Sequence, residues 1–257
     1  VTDPPWGMRG RLAALAAVSL AGKVVLKGLN AVQVHNRSQL MATVLARPKG
    51  QGLLTVSNHV STLDDPFLFA VMMPWSFYLS EPLHGRTRWA MCAKDVCFKN
   101  QFLTDFFLSG KSLPIIRGAG INQEVMRVAS ERLARGDWVH VFPEGGIVRT
   151  GTLGPMKWGA AKLLCDNADS PPVVLPMYHK GMHRVMPKGS MVPKVGHQVT
   201  LTVGQPVELA DLLLACKQQS SEASRRDVYV QIMNRIEGAL REVESKCWED
   251  YTRDTGT

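Results

Sequence analysis

The sequence predicts an α/β fold, a central and mostly parallel sheet flanked by helices, with an amphipathic membrane-associated helix at its N-terminal end. Three observations carry this. Short apolar runs, Leu53 to Val56, Leu113 to Ile116, Asp137 to Phe142 and Val173 to Pro176, read as strands; helical stretches separate them; and residues with conspicuous chemistry follow directly on the ends of the runs. Strand, helix and strand at these lengths make βαβ units, whose ligand groups gather beyond the carboxyl ends of the strands. The 257 residues approach the size at which one core stops growing, so a single domain is expected over 35–257, preceded by an interfacial segment over 1–34.

Hydrophobic residues make up 45% and charged residues 20%, which excludes a disordered chain. Thirty Lys and Arg against 22 Asp and Glu leave a formal charge of +8, which favours an anionic partner: a phosphate-bearing ligand, an anionic membrane or nucleic acid. The basic residues do not interleave with aromatics in a binding module, which argues against nucleic acid.

The N-terminal segment contains the apolar run Leu12 to Ala21, bracketed by Arg9 and Arg11 and by Lys23 and Lys27. Leu12, Leu15 and Leu20, with Trp6 near the start, make the apolar side of an interfacial helix, and Lys23 and Lys27 reach back to the headgroups. A core helix or the remnant of a targeting sequence is the equal alternative. The run is too short to span a bilayer.

A helix is expected over His35 to Arg47, ended by Pro48-Lys49-Gly50, and the strand at Leu53 then delivers NHVSTLDDP, Asn58 to Pro66. Pro66 to Leu79 is apolar and aromatic with Pro74 near its middle, a buried helix or a wall for an acyl chain. Glu81 to Arg88 reads as a polar loop, Trp89 to Ala93 as a short strand and Gln101 to Leu108 as a helix. The stretch GKSLPIIRGAG, Gly110 to Gly120, ends a strand on Arg117. Val125, Val128, Ala129 and Leu133 make the apolar stripe of a crossover helix over Asn122 to Arg135, stopped by Gly136. Further helices are expected over Pro155 to Asp166 and Leu209 to Ala215, and a strand over Gln198 to Val203. The basic, Met-rich stretch His179 to Lys194, with Lys188, suits phospholipid headgroups or solvent. Val228, Ile232, Ile236, Leu240 and Val243 mark a long C-terminal helix.

The five cysteines are scattered and odd in number, so free thiols are expected rather than a disulfide framework. Cys92 and Cys97 lack a second close pair, and His179 and His183 lack the glutamate of a zinc motif, so no metal is expected.

His59 stands five positions before Asp64 at the end of a strand. An imidazole titrates near neutral pH and becomes a strong base when a carboxylate orients it and compensates its charge. The alternative is a helix cap, with Asp64 and Asp65 at the positive end of a helix and His59 packed. Arg117, on a glycine-flanked strand end, suits a phosphate, or an ordinary salt bridge. His59, Arg117 and Glu144 all follow strand ends, and the fold class brings such residues to one crevice.

Taken together, these blocks resemble the glycerolipid acyltransferase superfamily, marked by a histidine, four residues and an aspartate, then a block running from glycine through Pro-Ile to arginine, then FPEG. Here they are His59 to Asp64, Gly110 to Arg117 and Phe142-Pro143-Glu144-Gly145, in that order. Within the superfamily the chain is most similar to the tafazzin family, through NHVSTLDDP, KDVCF at Lys94 to Phe98, GKSLPIIRGAG, GDWVHVFPEG at Gly136 to Gly145, KWG at Lys157 to Gly159 and LPMYHKGM at Leu175 to Met182. That family usually continues FPEG with lysine. Gly146 stands there instead, which leaves a cationic contact to lipid phosphate either absent or moved to Lys157 or Arg149.

The resemblance implies a membrane-bound transacylase that moves an acyl group from a phospholipid to a lysophospholipid without coenzyme A or another cofactor, with monolysocardiolipin as acceptor and cardiolipin as product. It implies His59 as general base, Asp64 as its partner and Asp65 as a stand-in. Arg117 and Gly118 would meet lipid phosphate, with Lys157, while Pro143, Glu144 and Gly145 would position the glycerol. Backbone amides near Asn58, Ser61 or Gly118 are the candidates for an oxyanion hole. The implied setting is an anionic mitochondrial membrane, on the leaflet facing the intermembrane space, with peripheral or monotopic attachment; homo-oligomerisation stays open. An acyl-CoA-dependent lysophosphatidate acyltransferase is the alternative activity, and a non-catalytic basic lipid-binding protein the alternative from another class.

Overall fold

Seven strands form one sheet: β1 (Ala31–His35), β2 (Leu53–Ser57), β3 (Trp89–Ala93), β4 (Ser112–Ile115), β5 (Trp138–Val141), β6 (Val173–Lys180) and β7 (Gln198–Val203). Their order is β1-β7-β6-β2-β5-β3-β4, and every pairing is parallel except β6 with β7. The computed structural model describes residues 3–80, 86–148, 152–187, 189–219, 221 and 223–256. The first part of the expected Glu81 to Arg88 loop, Arg149 and Lys188 lie outside the described residues.

Parallel strands need crossovers, and helices supply them. They are α1 (Gly7–Lys23), α2 (Arg37–Ala46), α3 (Asp64–Met72), α4 (Trp75–Leu79), α5 (Lys94–Cys97), α6 (Gln101–Ser109), α7 (Glu124–Ala134), α8 (Gly159–Asp166), α9 (Met182–Val185), α10 (Ala210–Gln218) and α11 (Arg226–Thr255). A five-residue π-helical turn, Val24–Gly28, continues α1.

The sheet is covered on both faces, which is why β2 reads LLTVS with every residue buried rather than as an alternating pattern. On one face Leu54, Val56, Val139 and Val174 pack under α7, α8, α10 and α11. On the other, Leu53, Trp138, Leu175 and Leu201 pack under α1 to α4. Each fully buried Leu or Val contributes about 1.5–3 kcal/mol relative to exposure. The whole stripe expected for the last helix, Val228 through Val243, is buried in α11.

Three expectations need correction. His35 to Arg47 is not one helix: Ala31–His35 is an edge strand, Asn36 takes a left-handed conformation (φ 55°), and α2 starts only at Arg37. The alternation of Val32 and Val34 has its partner far away in β7, through Val32 to Val199 and Val34 to Leu201. The boundary expected at residue 34 therefore falls within β1. The helix expected from Pro155 begins at Gly159.

The cysteines are also not all free. Cys92 and Cys97 are joined, with Cα atoms 6.1 Å apart, because α5 turns back directly after β3. Cys165 and Cys216 are joined across 5.4 Å where α8 meets α10. Both separations lie within the span a disulfide bridges. Spacing along the chain carries no sign of either. Cys247 is the free thiol among the described residues, and burial pushes its pKa up to about 12.

The N-terminal helix packs on the protein. Gly22 lies so close to α3 that a Cβ there would stand 2.7 Å from the Ala70 Cβ and 3.2 Å from the Phe67 Cα. Leu15 is buried, and the Lys23 ammonium donates to the carbonyls of Ala70 and Met73 (2.8 Å for Met73) at the end of α3. These two expected membrane contacts therefore face inward. Burial, helped by Lys27 and Arg37, lowers the Lys23 pKa to about 8. Leu12 is half-buried, Leu20 and Lys27 are exposed, and Trp6 stands beside the rings of Phe102 (5.7 Å) and Phe106 (6.2 Å). No helix of the described residues is long and apolar enough to cross a membrane.

Candidate active site

The central strand β2 ends at Ser57 and releases Asn58 and His59 at the carboxyl edge of the sheet, where β5 delivers Phe142, Pro143 and Glu144. His59 Nδ1 lies 2.9 Å from Asp64 Oδ2. Asp64 is fully buried, and the same oxygen accepts from the backbone N–H groups of Val60 (2.7 Å) and Ser61 (2.8 Å). These bonds decide against the helix-cap reading: the carboxylate reaches back to residues before α3, and the cap residue Leu63 makes no side-chain bond. A carboxylate on Nδ1 fixes the proton there, which leaves Nε2 as the basic nitrogen. The imidazole stacks on Phe142 at 4.0 Å with 12° between the planes, and a fifth of its side chain stays accessible.

The backbone that carries His59 is held at four points. Its N–H donates to Glu144 Oε1 (2.8 Å) and its carbonyl accepts from Val148 N–H (2.8 Å). The preceding carbonyl, Asn58 O, bonds His179 Nε2 (3.1 Å), and the following N–H, on Val60, goes to Asp64. Glu144 is buried and uses its second oxygen on Gly154 N–H (2.8 Å). Burial raises its pKa, against the lowering effect of those two bonds. Glu144 thus braces the loop of His59.

Below the dyad lies a buried polar chain. Trp138 Nε1–H donates to Thr55 Oγ1 (2.9 Å), and the Thr55 hydroxyl is hydrogen-bonded to His140 Nδ1 (2.9 Å). His140 Nε2 then faces Ser57 Oγ at 3.4 Å, and Ser57 donates to Asn58 O (3.1 Å). Burial holds the pKa of His140 far below the ordinary histidine value, so it is a neutral strut. A charged imidazole there would be uncompensated.

The other expected residues are placed differently. Arg117 lies two residues past the end of β4 on the surface, with its Nε 3.4 Å from Asp95 Oδ1 and more than half of each side chain exposed. Gly118 follows with φ +80°, and the Gln123 side chain ties this turn down by bonding Ile116 N–H (2.9 Å) and the Gly120 carbonyl (2.6 Å). Asp65 is paired with Arg88, a guanidinium that lies over Phe69 (5.2 Å), which takes it away from a stand-in role. Among the oxyanion candidates, the Ser61 amide is spent on Asp64. Lys157 is exposed; its N–H donates to Pro143 O (2.8 Å), and its side chain crosses Gly145, where a Cβ would meet Nζ at 2.9 Å. The space beside Gly146 is open. A larger groove of about 770 Å³ lies between α7 and α8, but its cations Arg127, Lys162, Lys217 and Arg225 are all paired with carboxylates. No group of three or more His, Cys, Asp or Glu among the described residues could hold a metal ion.

Residues 31–180 match the family model for Acyltransferase. The chain is 37% identical over 234 residues to the tafazzin of Drosophila melanogaster, covering 90% of this chain and 60% of that protein. It belongs to the tafazzin family of glycerolipid acyltransferases. To the N-acylphosphatidylethanolamine synthase of Arabidopsis thaliana it is 38% identical over 201 residues, 76% of this chain and 69% of that one. The crystal structure of the 1-acyl-sn-glycerophosphate acyltransferase of Thermotoga maritima shares the fold, with a TM-score of 0.55, 21% identity, and coverage of 91% of this chain and 80% of that one. The chain spans less than two thirds of the Drosophila relative's length.

This member of the family thus carries its histidine and aspartate as a formed dyad. Sequence reading missed the supports: Asn58, His140, His179 and Val148. The signal for two of them was present, since LPMYHKGM contains His179 and GDWVHVFPEG contains His140. A motif marks them as family features without saying what they touch.

Proposed function

We propose that the protein is a coenzyme A-independent transacylase that passes an acyl group from a phospholipid to a lysophospholipid, with monolysocardiolipin as acceptor. The observation that carries this reading is the His59–Asp64 bond of 2.9 Å on an accessible, rigidly mounted imidazole. His59 Nε2 takes the proton of the acceptor's glycerol hydroxyl as its oxygen attacks the donor's ester carbonyl. Asp64 offsets the charge of the imidazolium. The tetrahedral intermediate collapses, the bond to the donor's glycerol oxygen breaks, and the proton passes from Nε2 to that oxygen, releasing a lysophospholipid. The base returns to its starting state, so transfer runs in either direction. Base catalysis of this kind contributes about 10²–10⁴-fold in rate.

An anionic bilayer surface is the proposed site of action. The loop between α9 and β7 lies at the carboxyl end of β6, the edge that also carries His59. There Met191 is 93% exposed, Val192 69% and Val195 60%. Leu29 lies alongside, its carbonyl accepting from Gly196 N–H (2.9 Å), with Lys27 and Lys194 nearby in the chain. Exposed apolar side chains among lysines suit an interface with anionic lipid, where each lysine contributes about 1 kcal/mol. By family resemblance this surface is the mitochondrial leaflet facing the intermembrane space, met peripherally or monotopically.

The test uses purified protein with phosphatidylcholine labelled in its acyl chain, monolysocardiolipin and no coenzyme A. Label in cardiolipin is expected. Transfer that requires added acyl-CoA supports instead a lysophosphatidate-type acyltransferase. Label on the amine of phosphatidylethanolamine supports the activity named for the Arabidopsis relative.

A further inference from the structure

His179 reads in the sequence as half of a pair with no metal to bind and as part of a family motif, and the reaction above does not use it. It is 1% exposed, near the end of β6. Ser57 of β2 is in register with Met177 of β6, so His179 lies level with the residues that follow β2, Asn58 and His59. Three hydrogen bonds join it to Asn58. Its N–H donates to Asn58 Oδ1 (3.0 Å), Asn58 Nδ2–H donates to its carbonyl (2.9 Å), and its Nε2 bonds Asn58 O (3.1 Å). A carbonyl only accepts, so the imidazole proton is on Nε2. The same nitrogen stands 3.6 Å from Asp64 Oδ2, too far for a second full bond. Burial lowers the His179 pKa, so the ring stays neutral beside its charged neighbour.

We propose that His179 is a positioning residue for acyl transfer, fixing the peptide plane that carries His59 by holding the Asn58 carbonyl from one side while Glu144 holds the His59 N–H from the other. A peptide group is rigid and planar, so fixing its two polar ends fixes its rotation, and with it the direction in which the His59 side chain leaves the backbone. Asn58 completes the device: its amide bonds both main-chain groups of His179, which locks β6 to the loop that carries the base. A misplacement of about 1 Å at a reacting group costs on the order of a hundredfold in rate.

This inference rests on the reading of His59 as the base, so its test needs one arm that is independent of turnover. In the first arm, His179→Leu and His179→Gln are compared in the acyl-transfer assay after their folding is verified by thermal unfolding. Gln keeps a donor for Asn58 O and Leu does not. The expected result is a fall in kcat of about tenfold or more for Leu, with KM little changed, and recovery of most of that loss by Gln. A folded Leu variant within about twofold of the wild type, or a Gln variant no better than Leu, overturns the proposal. In the second arm, 15N NMR of histidine-labelled wild-type protein reads the tautomer directly. A neutral His179 protonated on Nε2 is expected at pH 7, since burial lowers its pKa from the ordinary histidine value. A proton on Nδ1, or a charged ring at pH 7, overturns the proposal whatever reaction the enzyme performs.

Discussion

The side chains around His59 are told apart by the bonds they make. Glu144 has both oxygens committed to backbone N–H groups, so it acts through the loop of His59. Its charged form is buried, and its folded pKa lies above the unfolded value of 4.5. The folded state therefore binds the proton more tightly, and Glu144 contributes stability below 4.5 that is lost as pH rises through the raised folded value. Measured by denaturation across that window, the wild type is expected to give up stability relative to Glu144→Gln as pH rises. In the same variant one of the two N–H donors faces an amide NH₂ and loses its acceptor, which costs about 1–3 kcal/mol. Activity is expected to fall about tenfold through movement of His59. A pH-independent stability difference with unchanged activity contradicts this account of Glu144.

At the scale of elements, α3 is held at both ends, one of them carrying the His59–Asp64 pair. Asp64 stands at its first residue, while Lys23 and Arg37 bond the carbonyls at its last turn, through Ala70, Met72 and Met73. Cations at a helix C-terminus meet both its unpaired carbonyls and its dipole. The N-terminal helix α1 is thus part of the support of α3, the helix that begins at Asp64, through Lys23 and through its close approach at Gly22. Replacing Gly22 with Val places methyl groups where Ala70 and Phe67 already lie, and destabilisation by about 1–3 kcal/mol is expected in thermal unfolding. If α1 were only a loose membrane segment, the melting temperature would not move.

For the whole molecule, the central strands β2, β5 and β6 were legible because each is a largely apolar run that is almost wholly buried, and the dyad was legible because its spacing and its place after β2 are both local. The edge strand β1 was not, because its five residues look like the start of a helix until β7 supplies their partner. Leu15 and Lys23 looked like membrane contacts because a helix that packs on α3 and one that lies on lipid have the same pattern. The disulfides and the supports of His59 depend on residues far apart in sequence, such as Asn58 and His179. The orientation on a membrane is a further property of the whole molecule: changing Met191 and Val195 together to Asp is expected to reduce binding to cardiolipin-containing vesicles by tenfold or more, on the order of 0.8 kcal/mol for each buried methylene lost, with unfolding unchanged. Unaltered vesicle binding would place the membrane contact elsewhere. The central claim is that His59, oriented by Asp64, is the base for acyl transfer between lipids. Its most direct measurement is coenzyme A-free transfer by His59→Ala, verified as folded: the expected loss is about 10²–10⁴-fold, and transfer at the wild-type rate would contradict the claim.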